Sequence, residues 1–209
     1  PESSRNGSSG CSTVGVTGAD VNNKDRYSVR GDLLFEPSSD FSIRIIADYN
    51  KINEECCGAA TIFNGPATNL IGVPFAAGGV GKTIGNPARI FNRELIYNTA
   101  PNNRLVGKGI SGQMDYSTSF GKLTSITAYR TQTNDTTLDV DFTAADISNQ
   151  TTADGIKTFS QELRLASSGD GPFSYLLGGF YSREKIDSTR DIRFGTDAQA
   201  IDVVFTPEN

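Results

Sequence analysis

Residues 158–181 read TFSQELRLASSGDGPFSYLLGGFY. The first arm alternates: Phe159, Gln161, Leu163 and Leu165 point one way, and Ser160, Glu162, Arg164 and Ala166 the other. Period two is the signature of a strand whose two faces meet different surroundings. A reversal follows at Ser168-Gly169-Asp170-Gly171-Pro172, where two glycines supply positive φ and a proline that cannot donate to a ladder ends the pairing. The chain then returns through Phe173 to Tyr181, which makes a β-hairpin with long arms.

The same scheme occurs twice more. Over residues 25–36, Tyr27, Val29, Gly31, Leu33 and Phe35 oppose Arg26, Ser28, Arg30 and Asp32, with Leu34 out of phase. Glu36-Pro37-Ser38-Ser39-Asp40 reads as a tight reversal. Phe41, Ile43, Ile45, Ala47 and Tyr49 then oppose Ser42, Arg44, Asp48 and Asn50, with Ile46 out of phase. From Val106 onward, Ile110, Gly112, Met114 and Tyr116 oppose Ser111, Gln113 and Asp115, and Ser117-Thr118-Ser119 turns the chain. The returning arm, residues 120–133, is less decisive because threonine and serine occupy both faces.

Between these hairpins lie polar stretches without a sustained period. The expected organisation is an N-terminal loop at 1–24, hairpins at 25–52, 106–134 and 157–187, long connections at 53–105 and 135–156, and an irregular segment at 188–209. The fold class is all-β, built from antiparallel hairpins. Each hairpin has a short turn inside it and a long polar connection to the next, as in outer-membrane barrels with short periplasmic turns and longer extracellular loops. Arms of ten or more residues also exceed the usual soluble strand.

Aromatic spacing points the same way. Tyr27 and Phe35, Phe41 and Tyr49, and Phe173 and Tyr181 are each eight residues apart. Eight residues rise ~26 Å, or ~20 Å across a bilayer at a tilt of roughly 40°, close to an apolar band between two aromatic girdles. Phe35, Phe41, Tyr116, Phe120 and Phe173 lie beside the short turns. Phe120 and Tyr129 have odd spacing, which calls for a bulge or a different face assignment between them.

Three of these stretches resemble the barrel region of TonB-dependent receptors, the outer-membrane transporters of Gram-negative bacteria. They are QELRLAS with its Gly/Asp turn and GGFY, DRYSVRGDLLFEPSSDFSIRIIADY at 25–49, and LTSITAYR at 123–130. They follow the order of successive barrel hairpins. The resemblance implies part of a transmembrane β-barrel of about 22 strands around a plug. It further implies location in the outer membrane and energy-coupled uptake of a scarce solute such as a siderophore, vitamin or oligosaccharide. The implied partners are the rest of the barrel and the plug, the TonB complex acting through that plug, an extracellular small molecule and outer-membrane lipid. Alternatives are a passive outer-membrane channel and a secreted β-rich binding or adhesion domain. The family fixes no substrate contact by motif, so the loops at 53–105 and 135–156 are candidates only as segments.

Composition narrows the other classes. The net charge of −5, with 21% charged residues, argues against a nucleic-acid binder, and no apolar run reaches the ~18 residues of a spanning helix. With no histidine, imidazole-dependent metal sites and triads are excluded. Carboxylates are scattered without a spacing suited to acid–base work. No catalytic, cofactor-binding or metal-binding residue is assigned, and no enzyme is expected.

Three cysteines, Cys11, Cys56 and Cys57, leave the pairing open: Cys11 with either neighbour, or the neighbours with each other. Gly78-Gly79-Val80-Gly81-Lys82-Thr83 resembles the end of a phosphate-binding loop, but Ala76 and Ala77 stand where glycine or a partition-ATPase lysine is needed. A glycine-rich surface loop is the expectation there. Arg26, Arg30, Asp32, Arg44, Asp48, Glu162, Arg164 and Glu184 are expected on one wet face, with charges paired across strands.

Overall fold

A computed structural model describes residues 12–13, 21–92, 94–169 and 172–199. Cys11, most of the expected N-terminal loop and residues 200–209 lie outside the described residues. Eight strands run in chain order: β1 (Ser12–Thr13), β2 (Arg26–Ser38), β3 (Phe41–Glu54), β4 (Glu94–Leu95), β5 (Asn102–Thr118), β6 (Gly121–Asp139), β7 (Ser148–Ser167) and β8 (Leu176–Phe194). Six of them form one sheet in the order β2-β3-β5-β6-β7-β8, antiparallel throughout. The short β1 and β4 pair in parallel apart from it.

Every short turn of the large sheet lies at one end, at Ser39–Asp40, Ser119–Phe120 and the connection from Ser168 to Tyr175. The long connections, 55–101 and 140–147, lie at the other. Gly169 takes a φ of 86°, the left-handed conformation that the reversal after β7 requires. At the neighbouring turn, Tyr175 Oη donates to the Phe120 carbonyl at 2.8 Å, tying two turns together.

Register fixes the faces, because paired residues in an antiparallel ladder share a side. One face carries Val29, Leu33 and Phe35 from β2, Ile43, Ile45 and Tyr49 from β3, and Ile110, Met114 and Tyr116 from β5. It continues through Leu123 and Tyr129, Phe159 and Leu163, and Leu177 and Tyr181. The other face carries most of the charged residues, with Leu34, Ile46, Ile126, Phe180 and Ile186 among them. Thus Leu34 and Ile46, out of phase in the sequence, are apolar residues on the polar face rather than bulges.

Phe120 resolves differently from expectation. It lies in the turn before β6, so no bulge is needed to bring Tyr129 onto the apolar face opposite Ile110 and Phe159. The register does shift between Phe35 and Ser38, where Pro37 cannot donate a ladder bond. Phe173 precedes β8, so its spacing to Tyr181 is not a strand repeat.

The aromatic residues of the apolar face step inward across the sheet. Tyr27 shares a register row with Lys51, Val106, Thr133, Gly155 and Asp187. Tyr49 lies one row inward of it, Tyr129 and Phe159 two, and Tyr181 three. Three rows are six residues, ~20 Å of rise, over five inter-strand steps of ~4.8 Å, so the line is inclined by ~40° to the perpendicular of the strands. Ring pairs mark both borders: Tyr27–Tyr49 at 5.7 Å and Phe159–Tyr181 at 6.3 Å on one, Phe41–Tyr116 at 6.2 Å on the other.

Among the described residues the large sheet has no packed layer on either face. Among the described residues the buried apolar side chains are Val21, Ile71, Leu95, Tyr97 and Ala145, all outside its strands. Meanwhile Val29 is 65% exposed, Leu33 63% and Ile110 55%. An exposed apolar face of this extent marks a contact surface. For the folded protein in detergent micelles, Ile45→Arg, midway between Phe41 and Tyr49, is expected to cost ~2–4 kcal/mol. Ile46→Arg, opposite Asp32 and Ser111 on the polar face, should cost under ~1 kcal/mol. Equal midpoint shifts in chemical denaturation would show that the two faces do not differ.

Candidate functional site

The polar face and the loops at its open end form the candidate site. One register row runs Arg30, Asp48, Gly109, Arg130, Thr158, Glu184 across all six strands. Arg130 reaches over Gly109 to Asp48, with Nη2 donating to its two carboxylate oxygens at 2.6 and 2.8 Å. A Cβ at position 109 would lie 3.1 Å from Nη2, so the glycine is the space through which the ion pair forms. Thr158 Oγ1 donates to Glu184 at 3.1 Å in the same row.

Further pairs follow along this face. Arg44 donates to Asp32 at 2.5 Å, Arg26 forms a two-pronged pair with Glu54, and Arg164 bonds Glu162 at 2.5 Å. Asp115 gathers Gln113, Thr124 and Lys122. All eight charged residues expected on the wet face occur there, and Arg26, Asp32, Arg44, Asp48, Glu162 and Arg164 are ion-paired. Sequence reading placed Asp115 opposite the apolar positions of its strand and missed Arg130 and Lys122. The missing signal was register, since Thr124 to Thr133 carry little contrast between faces. The result is a wall of fixed, mostly neutralised charge whose arginines stay half exposed.

The loop end is compact. Segment 55–101 contains α1 (Pro66–Gly72) and short 3-10 turns at Phe75–Ala77 and Pro87–Asn92, which its composition did not signal. Pro66 opens α1, where a missing N–H costs nothing. Val21, Leu95 and Tyr97 pack together beside Ala60. A cleft of about 130 Å³ is lined by Thr61, Thr83, Asn86, Arg89, Glu94 and Ile96, among others.

Four aspartates tie this cap together. Asp139, at the outer end of β6 and only 1% exposed, accepts backbone N–H groups from Asn98 at 2.8 Å, Phe142 at 2.9 Å, Asp141 at 3.1 Å and Thr99 at 3.4 Å. Asp146 accepts Asn98 Nδ2 at 3.2 Å and the Thr196 N–H at 2.9 Å. Asp197 accepts the Asp146 N–H at 2.9 Å and lies 3.7 Å from Lys82 Nζ. Asp141 accepts from Thr143 and from the Ser148 N–H at 3.0 and 3.1 Å. Three separate connections are thereby fastened to the ends of β6, β7 and β8.

Gly78 to Thr83 form part of this cap. Gly78, at a φ of 85°, closes the 3-10 turn, and Lys82 meets Asp197, so the segment behaves as the surface loop expected. Cys56 and Cys57 are joined to each other. Among the described residues no cluster of metal-ligating side chains occurs, and no helix is long and apolar enough to cross a membrane.

The strands outrun the expected hairpins. β6 continues to Asp139 and β7 begins at Ser148, so the connection expected at 135–156 shrinks to 140–147. β5 begins at Asn102, and β8 continues to Phe194, beyond residue 187 where irregular chain was expected. Polar residues on both faces erase the alternation there.

No family model, no curated protein and no solved structure matches the chain. The geometry of the sheet and cap therefore carries the functional argument.

Two predictions follow from these bonds. Arg130→Ala and Asp48→Ala should show a coupling of about 0.5 kcal/mol in a double-mutant cycle, lost when Gly109 is replaced by valine. A coupling that survives Gly109→Val would remove the glycine from this account. At Asp139, burial pushes the carboxyl up to about 6, against the backbone N–H groups that favour its ionised form. Since the folded value lies above the free one, its stabilising contribution is full below about 3.8 and lost as pH rises through about 6. Amide exchange protection at Asn98, Thr99 and Phe142, corrected for intrinsic rates, should fall by about tenfold from pH 5 to 7.5. Asp139→Asn should flatten that dependence, and an unchanged slope would contradict it.

Proposed function

We propose that this chain is a section of the wall of a TonB-dependent outer-membrane receptor, and that the whole protein imports a scarce solute by energy-coupled transport. The observation that carries the reading is the six-stranded sheet with an exposed apolar face, an ion-paired polar face and its cores confined to one end. A lipid bilayer supplies the missing cover for the apolar side, and a watery lumen suits the other. The ~40° inclination of the aromatic line falls within the tilt of outer-membrane strands.

The edges support a larger enclosure. Among the described residues β2 and β8 each pair on one side only, and both are exposed along their whole length. Open edges in a bilayer are untenable, so further strands close the wall in this reading. The compact cap then stands outside the cell, where its cleft and the upper polar face meet solute first. Below it, the row from Arg30 to Glu184 forms part of the path between wall and plug. The TonB-specific element rests on the resemblance of the three stretches, and the barrel element on the two faces.

The test uses the native polypeptide. Antiserum against this chain should detect a protein several times 22.3 kDa in the outer-membrane fraction, and in-cell crosslinking should join it to TonB. An outer-membrane protein that never crosslinks to TonB would favour a passive channel. Recovery in the detergent-free soluble fraction would favour a secreted β-rich domain and overturn the barrel.

A further inference from the structure

The cleft in the loop cap differs in kind from the charged wall below it. It has about 130 Å³ of space, bordered on one side by the 3-10 turn at Pro87–Asn92. Gly85 gives it depth: a Cβ there would stand 2.0 Å from Thr61 Oγ1, so the glycine leaves room for that hydroxyl against the backbone. Asn64 Nδ2 donates to the Gly85 carbonyl at 2.7 Å and holds the same segment in place. Ile84, Ile90 and Ile96 supply apolar wall, and Thr61, Asn86, Arg89 and Glu94 supply polar groups.

Those polar groups are balanced in sign. Arg89 and Glu94 pair at 2.7 Å, so the described charges lining the cleft sum to zero. Asn86 Oδ1 accepts from the Ala88 N–H at 3.0 Å, while its amide nitrogen donates to no described residue. Among the described residues the Thr61 hydroxyl has no partner either. Asn64 Oδ1, on the amide whose nitrogen holds Gly85, is buried and has no donor among them. A buried acceptor in that state calls for a donor that these residues do not supply. The open capacity therefore runs both ways, with donors on Asn86 and Arg89, acceptors on Asn64 and Glu94, and a threonine hydroxyl that is both. A matching ligand carries no net charge and has groups that donate and accept through one atom. Hydroxyl groups do this.

We propose that the cleft binds one neutral sugar ring at the end of an oligosaccharide, its hydroxyls on Thr61, Asn86, Arg89 and Glu94 and its C–H face on the isoleucines. The site stands on the cap alone; that this oligosaccharide is the imported solute rests on the transport reading above. Size separates it from the other solutes. Pockets for drug-sized ligands span ~300–1,000 Å³, so this space admits a single ring and neither a whole siderophore nor a macrocyclic vitamin. Charge separates it as well, because a carboxylate would meet Glu94 and find Arg89 already engaged. Phe91, next to Ile90 in the same turn, is 92% exposed, and Phe63, next to Asn64, is exposed too. Ring faces offered to water beside lining residues suit the C–H groups of further sugar units.

The full-length native protein, titrated calorimetrically with maltotriose, xylotriose, galactotriose and trigalacturonate, provides the test. At least one neutral trisaccharide should bind, and trigalacturonate should bind at least tenfold more weakly than it. Thr61→Val, which removes only a hydroxyl, should weaken that binding about fivefold. Thr61→Val combined with Arg89→Met should weaken it at least tenfold, with heat-modifiable mobility showing that the variant still folds. No binding of any neutral trisaccharide, or tighter binding of trigalacturonate, would overturn the sugar site while leaving the barrel intact. Unchanged binding in the folded double variant would remove the sugar from this cleft. Sugar binding by protein recovered from the detergent-free soluble fraction would support the site and overturn the transport reading alone. In whole cells, energised uptake of the bound trisaccharide should fall with the double variant, and its absence in the wild type would overturn the assignment of that sugar as the solute.

Discussion

Everything in this molecule depends on the backbone ladders of one antiparallel sheet. Five ladders join six strands of 13 to 20 residues, and among the described residues no second layer packs on either side. In an ordinary soluble domain, hydrophobic burial between layers overcomes the entropy of ordering the chain. Here the side chains that would do so remain exposed. The sheet is cohesive through hydrogen bonds within it and needs its surroundings to complete the burial. That requirement makes the apolar face, more than any pocket or cluster, the informative feature of the structure.

How much of this was legible follows from where the two faces differ. Between the aromatic borders one face carries apolar side chains and the other polar ones, so Phe41-Ser42-Ile43-Arg44-Ile45 alternates, and the alternation shows. Outside that band both faces carry polar side chains. Residues 134–139 and 148–156 then carry threonine, asparagine and aspartate on either side, and period two disappears although the strands continue. The hairpins were therefore visible and their outer thirds were not. Phe120 is the complementary case: its aromatic ring suggested a strand position, while the backbone places it in a turn.

The cap was illegible for another reason. Its fastening is made by side-chain carboxylates accepting backbone N–H groups between segments distant in sequence, such as Asp139 with Asn98 and Asp146 with Thr196. Such bonds impose no periodicity, and an aspartate that clamps a loop reads the same in sequence as one in solvent. Asp139 differs because β6 carries it into a position that excludes water. Likewise the Arg130–Asp48 pair depends on glycine at 109, and only the register places that glycine between them. Sequence distance between the pair is 82 residues, yet their strands are separated by one.

The two faces also manage charge by different rules. The polar face pairs arginines with carboxylates, and the pairs fix side chains without demanding a ligand. On the apolar face the strand charges stand outside the aromatic line, where a carboxylate beside each lysine would be the economical choice if the protein had to satisfy the cation itself. Asp187 does this for Lys185, and Asp191 for Arg193. Lys51, Lys108, Lys157 and Arg183 are left to whatever lies alongside, and the inclined line on which they sit is the same line that the aromatic rings follow. One inclined line thus carries both the ring positions and the cation positions, which two unrelated surface preferences would not produce.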